Sequence, residues 1–596
     1  NNTAQYGGGF FNETGATANL GENLSFTNNT AQKNGGGVYN YTGATMTIGN
    51  NAYFSGNKAV EAAGGAVQNM GNLTLGDNIT FENNSAAWGG AAVYGGSRDG
   101  QGSSTTIGNN AVFKNNTLTA SKSYGGAIYL ENDEQDTTSF TLGTNSYFEG
   151  NSAYQGGAIF INEAIKSRNG KGATFNGKKA ANHGGATNNK SEKSMYEETI
   201  ANKTASKYGG AIYNDTGANI NLGDNTKFDN NTANLGGAVY GNKEGSVTLG
   251  ANAEFTNNTS NSHGGAVYLT NGHDLTVGDN AKFVNNTANG TLGNGGAIYS
   301  YNSKTNSNTV KIGNNAEFSN NSTLNKEGGA IYNGTNTTLE IGSNSVFANN
   351  SANGTASKGG AIYNIGSAMT IGDNASFTSN KAVQGGAIFQ GIDAELSLNN
   401  ATFTQNIATG NETSSAGGAI FISEKNTKDV NITNSIFDGN KSDAAGGAIL
   451  QANGSTSTIN IDNTIFTNNE TGAEGGALVS DSILNITNST FSGNKTTGTN
   501  IDPDTPLNSN GGGGAIFLYD KAKVSISNSN FDGNSSGTYG GAIGTRINAS
   551  SNDSSLSVEN SNFTGNSANA DGGAIAAFID TTVKDTSFVN NSAGGN

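Results

Sequence analysis

Short runs in which hydrophobic and polar residues alternate follow one another along the whole chain, and no window carries a helical period. The stretch from Gly209 to Asn231 shows the unit. Gly210-Ala211-Ile212-Tyr213-Asn214 is one run, Asn219-Ile220-Asn221-Leu222 a second, and Lys227-Phe228-Asp229-Asn230-Asn231 a third, with Gly223-Asp224-Asn225 as a turn. Each run is β-branched or aromatic at alternate places and is bounded by turn residues, which predicts short strands. Three such strands per unit, repeated roughly every 25 to 40 residues, predict an all-β fold: a right-handed parallel β-helix in which every unit is one rung. Strands of successive rungs would pair about 4.8 Å apart, so that about 20 rungs give a rod of roughly 95 Å.

Two markers keep the register. Gly-Gly-Ala followed by an aliphatic residue recurs as Gly125-Gly126-Ala127-Ile128 and Gly359-Gly360-Ala361-Ile362, and Phe-x-x-Asn recurs as Phe148 to Asn151 and Phe377 to Asn380. The aliphatics Ile128, Ile159, Val239, Ile331 and Ile449, with Leu222, Leu339 and the phenylalanines, should stack inward as a continuous core. One rung buries too little to offset its own ordering, so the rungs must support one another. The glycine pair supplies positive φ or a close backbone approach at a corner. The closing asparagine (Asn57, Asn116, Asn258, Asn406, Asn534) tolerates the left-handed region and can ladder from rung to rung, although the Asn-Asn-Thr and Asn-Asn-Ser strings also create many glycosylation sequons. The aromatic residue after the aliphatic, among others Tyr213, Tyr240, Tyr268, Tyr299, Tyr332 and Tyr363, should face outward. That row is either a binding surface for a sugar or partner, or a stack that stabilises the sheet.

The spacing divides the chain. Up to Phe377 the step from the last aliphatic to the phenylalanine is six residues, as in Ile371 to Phe377; from Leu398 to Phe403 onward it is five. This predicts two sub-arrays of one continuous rod, 1–385 and 386–596. Around 170–207 two copies are worn: Phe175 begins Phe-Asn-Gly-Lys, Ile200 takes the phenylalanine place, and Thr187 replaces the aliphatic, so weak packing and high mobility are expected there. Asn1-Asn2-Thr3-Ala4 reads as the tail of one unit and Gly594-Gly595 as the start of another, so a piece of a longer array is expected, with the export signal and membrane anchor outside it. Insertions fall after the Gly-Gly strand (Gly95–Ser104, Glu131–Thr138, Tyr301–Asn308, Gly544–Ser554) and after Phe-x-x-Asn (Thr409–Ala416, Lys495–Asn510). The last is the longest and carries both prolines. Its residues Asn500, Asp502, Pro503, Asp504 and Pro506 are the candidate adhesive loop, since loops on a rigid scaffold carry recognition.

Composition narrows the chemistry. Only 13% of residues are charged and the net charge is −16, with lysines and arginines scattered, which argues against a nucleic-acid partner. Cysteine is absent, so disulfides, thiolate metal sites and cysteine nucleophiles are excluded. Of the 3 histidines, His183 and His263 precede Gly-Gly pairs at what reads as a solvent-facing corner, and His273 reads as a turn residue beside Asp274. Asp224 and Asp279 share a turn column, as do Asp77 and Asp373, but a turn accounts for each alone. No Ser-His-Asp set, calcium nonapeptide, EF-hand or phosphate loop is present in the sequence. No enzyme, catalytic residue, metal or cofactor is expected.

The alternation of Gly-Gly-Ala-[Ile/Leu/Val] with Phe-x-x-Asn, also seen as Gly475-Gly476-Ala477-Leu478 with Phe491 to Asn494, resembles the double repeat of the chlamydial-type polymorphic outer membrane proteins. The resemblance runs through essentially the whole chain, which departs from the family in lacking cysteine and in its abundance of asparagine. It implies an autotransporter-like passenger at the bacterial surface that adheres to a host-cell or surface receptor, protein or glycan. Self-association into fibres would accompany a second reading, a purely structural stalk or filament subunit. A third, a carbohydrate-active β-helix enzyme, would require acidic side chains clustered from neighbouring rungs.

Overall fold

Alternation turns the side chains of each run to opposite faces, and the chain forms strands of two to six residues with no helix among the described residues. The computed structural model describes residues 1–132, 138–162, 166–177, 179–189, 193–196, 199–303, 306–366, 368–411, 416–498, 512–546 and 554–595. They form two compact units, Asn1–Lys282 with Asn306–Thr309, and Phe283–Thr305 with Val310–Asn596. Each is a parallel β-helix, and together they make about 19 turns.

In the first unit a typical rung begins with Val67–Asn69, which pairs in parallel with Val38–Asn40 before it and Val93–Gly95 after it. Asn72–Leu75 pairs with Thr45–Ile48 and Ser103–Ile107, and Thr80–Glu82 with Tyr53–Ser55 and Val112–Lys114. A fourth strand, Ser85–Ala86, pairs with Lys58–Ala59 and Thr117–Leu118. The three-strand rung read from sequence therefore gains a two-residue piece, too short for alternation to announce it. Registers set like over like: Phe81 pairs with Phe54 and Phe113. These rings are fully buried and stack at 4.9 and 5.0 Å, which is the rung spacing itself. Ile200 holds the phenylalanine place between Phe175 and Phe228, and Thr187 lies buried between Ile159 and Ile212 with its hydroxyl unpartnered.

The second unit repeats the plan. Phe318, Phe347, Phe377, Phe403 and Phe437 stack at 4.7 to 4.8 Å with nearly parallel planes. Residue 385 lies inside this unit, and the shortened turn has a local counterpart. The sheet that contains Ala368–Ile371 ends there, and Leu396–Asn399 opens a separate sheet with Val430–Thr433. The left-handed turn residue persists across that step, as Asn374 and then Asn400, so the lost residue is the glycine side of the turn.

The glycine pair divides its two duties. Gly359 has φ +65, whereas Gly360 lies where any Cβ would meet the backbone of the next rung. The closing asparagine is not the left-handed residue; the one before it is, as at Asn83, Asn115, Asn349, Ser379 and Gln405. Its side chain points inward instead. Asn406 Nδ2 donates to Asn440 Oδ1 (2.9 Å) and to the Phe377 carbonyl (2.9 Å), while its Oδ1 accepts from both the backbone N and the Nδ2 of Asn380 (3.0 Å each). The same set recurs at Asn84, Asn116, Asn350 and Asn469, all fully buried. Asn406→Ala strands two donors of Asn380 and the Phe377 carbonyl in a dry interior. It should cost roughly 2 to 4 kcal/mol, read from urea unfolding, against under about 0.5 kcal/mol for the exposed Asn353→Ala.

Candidate functional site

The outward face of the Gly-Gly strand carries the aromatic column expected from sequence, but the column is covered. In the first unit Tyr213 and Tyr240 are buried and Tyr268 half-buried; their rings stack at 5.4 and 5.0 Å. In the second unit Tyr299 is buried, Tyr332 and Tyr363 are half-buried, and the stack continues from 4.7 and 4.9 Å into Phe389 and Phe421. The open surface row is thus corrected to a second, outer stack. The cause is the chain entering each Gly-Gly pair, which folds over it. His183 packs against both Tyr208 and Tyr213, at 4.8 and 4.6 Å, and Tyr208 lies 4.6 Å from Tyr240. The corner read as solvent-facing at His183 and His263 is accordingly half-buried. Burial pushes the phenols of Tyr213, Tyr240, Tyr332 and Tyr363 well above the ordinary tyrosine range, so they stay neutral.

His273 is a correction of a different kind. It begins the strand His273–Val277 and is fully buried. The third place of the Gly-Gly strand carries a second inward asparagine ladder, in which Asn12 donates to Asn40 (2.9 Å), Asn40 to Asn69 (2.8 Å) and Asn189 to Asn214 (2.7 Å). Gly241 interrupts it, and the His273 ring fills the space; a Cβ on Gly241 would lie 2.6 Å from His273 Nδ1. Nδ1–H donates to the Asp274 carbonyl (3.2 Å) and Nε2 accepts from Asn214 Nδ2 (2.9 Å). Burial, only partly opposed by the Asp274 carbonyl, lowers its pKa to about 4. Between pH 6.5 and 4 the unfolded chain takes up this proton and the folded chain does not, so stability falls on acidification and is complete above pH 6.5. The loss should reach roughly 3 kcal/mol and should vanish in His273→Gln, measured as the wild-type-minus-variant difference in urea midpoints at pH 7 and pH 4.5.

The turn carboxylates also have structural work. Asp77 Oδ1 accepts the amide of Asn109 (2.7 Å), and Asp224 Oδ1 accepts that of Ala251 (2.8 Å), each binding the turn of the next rung. Other acids pair with lysines of the adjacent rung, Lys227 with Glu254 at 3.1 Å and Lys441 with Glu470 at 2.9 Å. No group of three or more potential metal ligands occurs among the described residues. The candidate adhesive loop, Asn500, Asp502, Pro503, Asp504 and Pro506, lies outside the described residues; its flanking strands, Lys495–Thr496 and Ile516–Leu518, are paired within the second unit.

A rung that runs from a left-handed asparagine through Phe-x-x-Asn to Gly-Gly is what a family model recognises. The model for the Chlamydia polymorphic membrane protein (Chlamydia_PMP) repeat matches residues 23–41, 78–96, 145–162, 252–270, 315–334, 344–365 and 488–519. Repeats of the Chlamydia polymorphic membrane protein kind thus stand at seven places along the chain. No curated protein and no solved structure matches it. Laid on the fold, each polymorphic membrane protein repeat takes the end of one rung and the start of the next. The match at 78–96, for example, opens at the turn residue Asn78, takes in the buried Phe81 and Asn84, passes the Gly89-Gly90 corner and ends at Gly96, just after the strand Val93–Gly95.

Proposed function

We propose that the chain is the β-helical passenger of a bacterial surface adhesin, a stiff scaffold that presents its inserted loops to a host-cell or surface receptor. One observation carries this reading: nearly every recurrent side chain is engaged between rungs. The phenylalanines stack, the closing asparagines ladder, the outer tyrosines stack, and the turn aspartates hold the next turn. Recognition is then left to what varies, the loops. The polymorphic membrane protein repeats support a location at the outer membrane or cell surface. The purely structural stalk remains the competing reading, supported by the same lateral contacts.

Purified protein applied to epithelial cells separates the two. Saturable attachment that drops at least ten-fold on deletion of residues 499–510, with unchanged circular dichroism, is the expected result. Assembly into filaments with no attachment to cells would replace the adhesin with the stalk.

A further inference from the structure

The outer aromatic column of the first unit lacks a ring at two places, Asn188, between Phe160 and Tyr213, and Gln68. Its successive places are Tyr39, Gln68, Tyr94, Tyr129 and Phe160, with Gln68 in register between Tyr39 and Tyr94. At the Gln68 layer lies a pocket of about 320 Å³, within the range of small-molecule sites, whose lining includes Tyr39, Gln68, Trp88, Tyr94, Arg98 and Glu131. Gln68 is 4% exposed and its Oε1 has no hydrogen-bond partner. Its Nε2 reaches only the Met70 sulfur at 3.4 Å, a weak acceptor. A buried amide so poorly satisfied is costly unless something else completes it.

The polar wall is built, not incidental. The insertion after the Gly-Gly strand closes through Arg98-Asp99-Gly100-Gln101, with φ +61 and +73 at the two central residues and the Gln101 amide donating to the Arg98 carbonyl at 3.3 Å. Those angles suit a tight type I′ reversal, which Asp-Gly favours. Gly96 makes room for the Tyr94 ring, since a Cβ there would lie 2.8 Å from Cε1. The Tyr94 hydroxyl donates to Glu131 Oε2 at 2.5 Å and orients that carboxylate, while Trp88 stands edge-on to Tyr94 at 5.7 Å.

We propose that this pocket binds one pyranose ring of a neutral glycan, with the sugar taking the place of the absent aromatic layer. Aromatic faces receive the C–H face of a pyranose. The flat amide of Gln68, the carboxylate of Glu131 and the guanidinium of Arg98 each offer two polar atoms in one plane, the geometry that suits neighbouring hydroxyls. One cation beside one anion leaves no net charge to recruit a phosphate or an acidic sugar. The proposal stands apart from the loop-based attachment above: it concerns different residues and is tested on a different readout.

Trp88 is the chain's single tryptophan, so its emission reports on this pocket alone. The full protein is titrated with millimolar glucose, galactose, mannose and N-acetylglucosamine, free and as disaccharides. A saturable emission shift with at least one of them is expected, weakened at least ten-fold in Arg98→Ala. Gln68→Tyr, which restores the missing ring, should abolish the shift while melting no lower than the wild type. No response to any neutral sugar overturns the proposal. A response confined to sialic acid or inorganic phosphate also overturns it, as does one confined to tyrosine-containing peptides, which would mark a protein-binding site. Cell attachment that survives a failed titration leaves the adhesin reading untouched.

Discussion

Gly360→Ala should dismantle the rungs around it, although it adds one methyl group to a chain of 596 residues. A Cβ at this position collides with the carbonyl oxygen of Gly386 and lies 2.5 Å from the backbone N and 2.7 Å from the carbonyl carbon of Lys381. All three are backbone atoms, two in the strand that closes the same rung and one at the corner of the following rung, so no rotamer change can relieve the contact. Relief requires the two rungs to separate, which would draw apart the parallel pair Ile362–Asn364 with Ile388–Gln390 and the stacked rings of Tyr363 and Phe389. The expected loss is on the order of 4 kcal/mol or more, the range reserved for overpacking against atoms that cannot move. Because a solenoid is stabilised by nearest neighbours, the loss should be local: hydrogen exchange should accelerate in rungs near residues 359–390 and fade within a few rungs on either side. Gly21→Ala, whose added Cβ meets nothing within 4 Å, should leave exchange and melting unchanged. Equal effects from the two substitutions would mean that rung spacing is softer than the core suggests.

Much of this architecture is legible because each signal repeats. Ile212, Leu222 and Phe228 stand at places that recur in nearly every unit, so alternation and spacing identify the inward columns without reference to any one contact. The parts that escape are those decided between rungs. The strand Thr232–Ala233 is too short to alternate. Left-handed φ falls on Asn230 and not on Asn231, because the inward side chain of Asn231 is held by Asn258 and the Ile200 carbonyl and its backbone stays extended toward the sheet. His273 resembles a turn residue until the glycine at position 241, one rung earlier, is seen to leave a hole of its size. The tyrosine row looks open because alternation reports which face a residue takes, not whether the approaching chain then covers it. The gap at Gln68 is written in the sequence as a polar residue at an aromatic place, but only the loop carrying Arg98 makes it a pocket.

Lys203→Asn should stabilise the first unit, by roughly 4 kcal/mol at pH 7. Lys203 occupies the closing-asparagine place of its rung, where its backbone amide donates to Asn231 Oδ1 at 3.0 Å, yet its side chain is fully buried with Nζ bonded to the Ala201 carbonyl at 2.7 Å. Burial lowers its pKa to about 6, so the folded chain holds this amine neutral at pH 7 while the unfolded chain binds its proton. Stability contributed by this group therefore rises with pH from about 6 to 10.5 and is lowest at and below pH 6. Asparagine removes that dependence and can donate to Asn231 Oδ1 and the Phe175 carbonyl as its counterparts do, so the advantage of the variant should be largest in acid and shrink toward pH 10.5. The chain has no cysteine, so Ala205→Cys, placed in the buried strand that follows, gives a clean labelling probe of local opening. Labelling should slow at pH 7 when Lys203→Asn is added, with the two proteins converging as pH rises. A variant that opens as readily as the lysine protein at pH 7 would mean that the ammonium reaches water in the folded state, and that the ladder is not what the lysine interrupts.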